Sequence, residues 1–189
     1  MLRPLILASQ SPRRRELMML LNMPFSSENP NVEEIIRTDI KLEKAIEELA
    51  YLKAADVLSR HPHATVIGSD TVVVVDGEVL GKPANPDDGK AMLRKLSGRK
   101  HEVITAVAIL TENTKKVFHS KAEVTFYPLD DAWIDSYIAS GSALDKAGAY
   151  GIQDRGALMV KAIKGDYYTI MGLPIAEVHQ VLRALKAAQ

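Results

Sequence analysis

Leu5-Ile6-Leu7-Ala8-Ser9-Gln10-Ser11-Pro12-Arg13-Arg14-Arg15-Glu16-Leu17 is the stretch that decides the class of fold. Four consecutive apolar residues make a short buried strand. Ser11-Pro12 then starts a helix, with Ser as N-cap and Pro at N1, where its missing N–H is no loss. The helix is expected to bring Leu17, Leu20 and Leu21 to one face. A buried strand feeding a capped helix opens an α/β unit.

The same stretch works against itself electrostatically. Arg13 and Arg14 fall at N2 and N3, where a cation is unfavourable by about 0.3–1 kcal/mol. Arg14 also holds the position of the usual capping-box acid. Two readings follow: a solvated basic turn partly balanced by Glu16, or an anion such as phosphate resting on the exposed N–H groups. The Gly-x-x-x-x-Gly-Lys-Ser/Thr pattern of a Walker A loop is absent.

The whole chain sets the limits around this motif. Its 189 residues suit one large domain or two small lobes, and 47% apolar with 25% charged residues is an ordinary globular mix. The absence of cysteine excludes a disulfide scaffold, a Cys-based zinc site and a thiol nucleophile, and suits a reducing compartment. No apolar run approaches the ~18 residues that cross a bilayer. Leu5 to Ala8, with its arginines behind it, reads as no export signal. The 24 basic and 24 acidic residues cancel, leaving no global field for nucleic acid or anionic membrane. The expectation is a soluble, cytoplasmic α/β protein with neither as a partner.

Along the chain, residues 22–39 read as a polar loop carrying Glu33 and Glu34, and 42–58 as a helix ended by His61-Pro62. Residues 64–75 form a strand interrupted at Gly68-Ser69-Asp70-Thr71, and Asp76-Gly77 turns it back through Glu78-Val79-Leu80. A helix over 87–96 stops at Gly98. Strands over 103–110 and 116–127 pair through a Glu112-Asn113 turn. A helix over 130–138 has Asp130 or Asp131 as N-cap and Gly141 as its stop. The remaining elements are a strand over 157–163 and a closing helix over 174–185.

Three further features carry chemistry. Asp70 sits in an apolar strand, where an ionised carboxylate is costly unless paired, hydrogen-bonded or bound to metal. It reads as a base for water, as a ligand for Mg²⁺, or as a capped strand bulge. Lys53 and Lys82 are isolated cations in structured places; either joins Arg13 and Arg14 around a polyphosphate, or Lys53 snorkels and Lys82 is loop surface. Gly148 and Gly151 allow close backbone approach ahead of Gln153, whose amide both donates and accepts; a tight loop entering a strand is the simpler reading. The five histidines show no metal-ligand spacing beyond His61-x-His63 at a helix end, and Trp133, Tyr167 and Tyr168 read as core or rim packing.

Taken together, these blocks resemble the Maf family of nucleotide pyrophosphatases. The similarity runs from Leu7–Leu17 through Gly68-Ser69-Asp70-Thr71 and Gly77-Glu78-Val79-Leu80-Gly81-Lys82-Pro83. It continues through Leu96-Ser97-Gly98-Arg99, Thr105-Ala106-Val107 and residues 145–153, and ends with Gly165-Asp166-Tyr167-Tyr168 and Gly172-Leu173-Pro174. It implies a single domain over 1–189 with a fold like that of the inosine-triphosphate pyrophosphatases: an elongated mixed sheet flanked by helices, with two lobes around a cleft. The implied reaction splits a nucleoside triphosphate between its α and β phosphates with a divalent cation, Mg²⁺ or Mn²⁺.

The aspartate matching Asp70 is the family's proton acceptor. Arg13, Thr71 and Gln153 match the dTTP/UTP branch, whereas the branch acting on 7-methyl-GTP resembles Ser-Pro-Trp and Asp-Gln at the first two motifs. The triphosphate is expected at Ser9, Ser11, Arg14, Lys53 and Lys82, with Arg13 adding charge. Glu34, favoured over Glu33, and Asp70 are expected to hold the metal. The resemblance also favours a homodimer, and it admits a non-enzymatic alternative, a nucleotide-binding regulator of septum formation. Three positions depart from the family: Ser142-Ala143 replaces a common Glu-Pro, and Asp154 stands where glycine is common after Gln153, a change that could alter the loop presenting Gln153.

Overall fold

Leu5 to Ala8 are all buried and form the first strand, β1 (Leu5–Ala8), of the computed structural model, which describes residues 3–187. After β1 come α1 (Pro12–Met19), β2 (Ser26–Glu28), α2 (Leu42–Arg60), β3 (Thr65–Val75), β4 (Glu78–Leu80) and α3 (Pro86–Leu96). Then follow β5 (Lys100–Thr111), β6 (Thr114–Phe126), α4 (Asp131–Ala139), β7 (Val160–Gly165), α5 (Tyr167–Met171) and α6 (Ile175–Ala187). The strands make one seven-stranded mixed sheet in the order β2-β1-β3-β5-β6-β7, with β4 added to β3. β1 lies parallel to both β2 and β3, and β6 antiparallel to β7. The α/β expectation is met.

Local chemistry explains most boundaries. Ser11 caps α1 through the Arg14 N–H, and Asp130, not Asp131, caps α4 by accepting from the Trp133 N–H at 2.7 Å. Asn85 caps α3 by accepting from the Asp88 N–H, while Asp88 accepts in return from the Ala84 N–H at 2.8 Å. Asp76 and Gly77 both take positive φ, as the two-residue hairpin requires. Gly98 and Gly141 end their helices in the left-handed region.

Five expectations need correction. β3 runs unbroken from Thr65 to Val75, so Asp70 lies inside a continuous strand. Gly68 is no bend there: a Cβ would stand 2.3 Å from the Ala50 carbonyl oxygen, because α2 presses its backbone onto the strand. Residues 22–39 contain a short strand, β2, stabilised by its pairing with β1. In α1 the buried pair is Leu17 and Met18, while Leu20 is exposed. The last strand begins at Val160, since Asp154 caps a 3₁₀ turn over Arg155–Met159 ahead of it.

The fold divides into two compact units, one of Met1–Asp70, Thr105–Ser120 and Gly172–Gln189, the other of Thr71–Ile104 and Lys121–Met171. In the first, the buried face of α2 is built from Ala45, Ile46, Leu49, Ala50, Ala54 and Val57, with Lys53 among them. In the second, α3 packs against α4.

The second unit also holds a buried aromatic cluster. The His101 ring meets Phe126 and Tyr150 edge-on at 4.8 and 5.4 Å, and its Nε2 lies 2.8 Å from the Tyr150 hydroxyl. Burial pushes the His101 imidazole down to about 4. The unfolded chain binds this proton near the ordinary value of 6.5. Stability linked to His101 is therefore complete above pH ~6.5 and lost as pH falls towards ~4, by about 3 kcal/mol in all. Urea unfolding across that window should show this fall in wild type and a flatter profile in His101→Gln. Parallel profiles would remove His101 from the acid response.

Candidate active site

Within the first unit, β1 ends at a turn that gathers hydroxyl groups. The Ser9 Oγ accepts from the Ser11 N–H at 3.1 Å, and the Ser11 Oγ from the Arg14 N–H at 3.4 Å. Arg13 and Arg14 are half-buried in the first turn of α1. The Arg14 guanidinium donates to two carbonyls from distant segments, Nε to Gly172 at 2.8 Å and Nη1 to Ser69 at 2.9 Å. The Ser69 hydroxyl donates to the same Gly172 carbonyl at 3.0 Å. Arg14 thus fastens the Ser9–Arg14 turn to the residue before Asp70. Carbonyl acceptors also offset its placement near a helix N-terminus. Burial lowers the Arg14 pKa while Asp70 and Glu34 oppose the shift and Arg13 adds to it; a guanidinium remains charged at neutral pH.

Asp70 and Lys53 form the centre. Lys53 is only 4% exposed and Asp70 8%, and their charged ends meet at 2.6 Å. Glu34, whose side chain is half exposed, reaches the same ammonium at 2.6 Å. One cation therefore lies between two carboxylates, one inside the protein and one at its surface. Burying an ion pair is favourable only with close geometry and further polar contacts, both of which this arrangement supplies. Of the acidic pair at 33 and 34, Glu34 is the one that meets the Lys53 ammonium. Among the described residues no group of three or more His, Cys, Asp or Glu is placed to hold a metal.

The other sequence-selected residues belong to the second unit. Thr71 follows Asp70 in β3 and is half-buried, while Lys82 and Gln153 are exposed in loops. A backbone hydrogen bond from the Gly148 N–H to the Gly81 carbonyl, 3.0 Å, ties the loop of Lys82 to that of Gln153. The glycines of this loop serve internal packing. Gly148, at φ +67°, faces Val73, and Gly151 faces Asp154 and Lys146. The organiser of the loop is Asp154, whose side chain accepts from the Gly156 N–H and from the Tyr137 hydroxyl. Its signal is a departure from the common glycine, at the N-cap of a turn.

The model of the Maf-like protein family matches residues 4–185 of the chain. A dTTP/UTP pyrophosphatase of Bacillus velezensis is 50% identical over 186 residues, spanning 98% of this chain and 97% of that protein. The dTTP/UTP pyrophosphatase of a Geobacillus species is 46% identical, spanning 97% and 99%. That of Symbiobacterium thermophilum is 47% identical, spanning 94% and 92%. The crystal structure of protein VC0702 from Vibrio cholerae overlays at a TM-score of 0.48 with 13% identity across 96% of each chain, too low to bear on activity. No helix among the described residues is long and apolar enough to cross a membrane.

Proposed function

The chain belongs to the Maf family, and from that premise we propose that it hydrolyses dTTP and UTP to the monophosphate and pyrophosphate. The observation that carries the chemistry is Asp70, a buried carboxylate in mid-strand whose charge Lys53 balances at 2.6 Å. Such a group is held in place, ready to orient a water and accept its proton as the α–β anhydride opens. Positioning and electrostatics supply most of phosphoryl-transfer catalysis, so few side chains suffice. Ser9, Ser11 and the first turn of α1 offer donors to the phosphates, with Arg13, Arg14, Lys53 and Lys82 supplying positive charge.

A divalent cation fits the donor set. Glu34 and Asp70 each place a carboxylate oxygen 2.6 Å from the Lys53 ammonium, and these two carboxylates would hold the cation beside it. Mg²⁺ and Mn²⁺ favour oxygen ligands, and Mg²⁺ commonly binds through one or two carboxylates plus substrate phosphates. When bound, the ion would neutralise charge developing on the phosphates. Thr71, Gln153 and Arg13 would distinguish the pyrimidine. The reading extends to a homodimer working in the cytoplasm.

Pyrophosphate release from a panel of nucleoside triphosphates tests this. With Mg²⁺ or Mn²⁺, dTTP and UTP should react at least about tenfold faster than ATP, GTP and CTP, a margin within reach of a hydrogen-bonding site. EDTA should stop the reaction and added metal restore it. Equal rates on all five nucleotides would contradict the specificity, and turnover resistant to EDTA the metal requirement.

A further inference from the structure

Gln153 lies between two glycines whose N–H groups are held by one pair of side chains. The Gly151 N–H donates to the Tyr137 hydroxyl oxygen at 3.0 Å. That hydroxyl donates to Asp154 Oδ1 at 3.0 Å, and the same carboxylate oxygen accepts from the Gly156 N–H at 2.7 Å. Lys146 Nζ approaches the other carboxylate oxygen at 3.5 Å. A Cβ on Gly151 would stand 2.4 Å from that oxygen, so the closeness of the pair depends on glycine. Burial, the largest influence, pushes the Tyr137 hydroxyl far above the ordinary tyrosine range, and it stays a donor at neutral pH.

Helix α4 is the anchor. Tyr137 is fully buried on it and stacks on Trp133 at 5.5 Å. Ser136 of the same helix accepts from Arg155 at 3.3 Å, and the Arg155 guanidinium lies over the Trp133 ring. The backbone on both sides of Ile152-Gln153 is thus bound to one rigid element, and the Gln153 side chain is left exposed.

We infer that Asp154 and Tyr137 are positioning residues for substrate selectivity, acting as a clamp that holds the Gln153 amide at one place and orientation. The inference rests on the proposal that Gln153 reads the pyrimidine. An amide distinguishes base edges only when its donor and acceptor ends are fixed in space, since a mobile loop lets it adapt to competing bases. Touching no reacting atom, the clamp acts on recognition and leaves the chemical step to Asp70.

Steady-state kinetics of Tyr137→Phe, Asp154→Ala, Asp154→Asn and Gln153→Ala on dTTP and dCTP test it. Tyr137→Phe keeps the packed ring and removes the hydroxyl. It and Asp154→Ala should raise KM for dTTP about tenfold and lower the dTTP-over-dCTP ratio of kcat/KM about tenfold, the order of one well-made hydrogen bond. Their kcat should stay within about twofold of wild type, because the clamp touches no reacting atom; a smaller folded fraction would instead lower kcat and leave KM unchanged. Asp154→Asn keeps an oxygen acceptor and should restore both quantities. Unchanged KM and preference in Tyr137→Phe and Asp154→Ala, with Gln153→Ala altered, would overturn the clamp alone. A Gln153→Ala enzyme of unchanged preference would overturn the base-reading proposal and the clamp with it.

Discussion

Asp70→Asn is expected to lower turnover of dTTP at least ~10²-fold, with KM and the urea midpoint close to wild type. The change is nearly isosteric and keeps an oxygen facing Lys53, whose second partner, Glu34, remains at 2.6 Å. The loss is specific: an amide has no basicity for the proton of an attacking water and no charge for a metal. A 10²-fold fall equals ~2.7 kcal/mol of transition-state stabilisation, inside the range of general-base catalysis. Turnover within threefold of wild type would remove Asp70 from the chemistry. A KM rising in step with the loss of kcat/KM at constant kcat would make it a binding residue instead.

Lys53→Met is expected to destabilise the fold by about 3 kcal/mol at pH 7, as for a buried ion pair stripped of one partner. The Met side chain fits the apolar face of α2, so the cost comes from Asp70, 8% exposed and without its counter-charge. Urea unfolding at pH 7 measures it. Adding Asp70→Asn to Lys53→Met should recover most of the pH 7 deficit, since no buried charge remains. An additive double mutant would show that the two side chains are not coupled.

The sequence made this centre legible because the residues break local rules. Asp70 is a charge inside an apolar strand. Lys53 falls on the line 46, 49, 50, 53, 54, 57, the buried stripe of an amphipathic helix. The cap at Ser11, the α4 cap to within one residue (Asp130 or Asp131) and the Asp76-Gly77 turn were readable for the same kind of reason, since each is decided within four residues. What escaped is set by distant partners. β2 is three polar residues that become a strand by lying beside β1. Arg14 seeks Gly172, 158 residues away. The late start of β7 follows from Asp154, whose partner Tyr137 comes from α4, so its apolar residues 157–159 join a capped turn.

The product balance for dTTP at pH 7 with Mg²⁺ tests the central claim most directly. Phosphorus NMR or ion-exchange separation should find dTMP and pyrophosphate appearing in equal amounts, with Asp70→Asn slowed at least ~10²-fold under the same conditions. Orthophosphate with dTDP, or intact dTTP after prolonged incubation with folded wild-type protein, would contradict it.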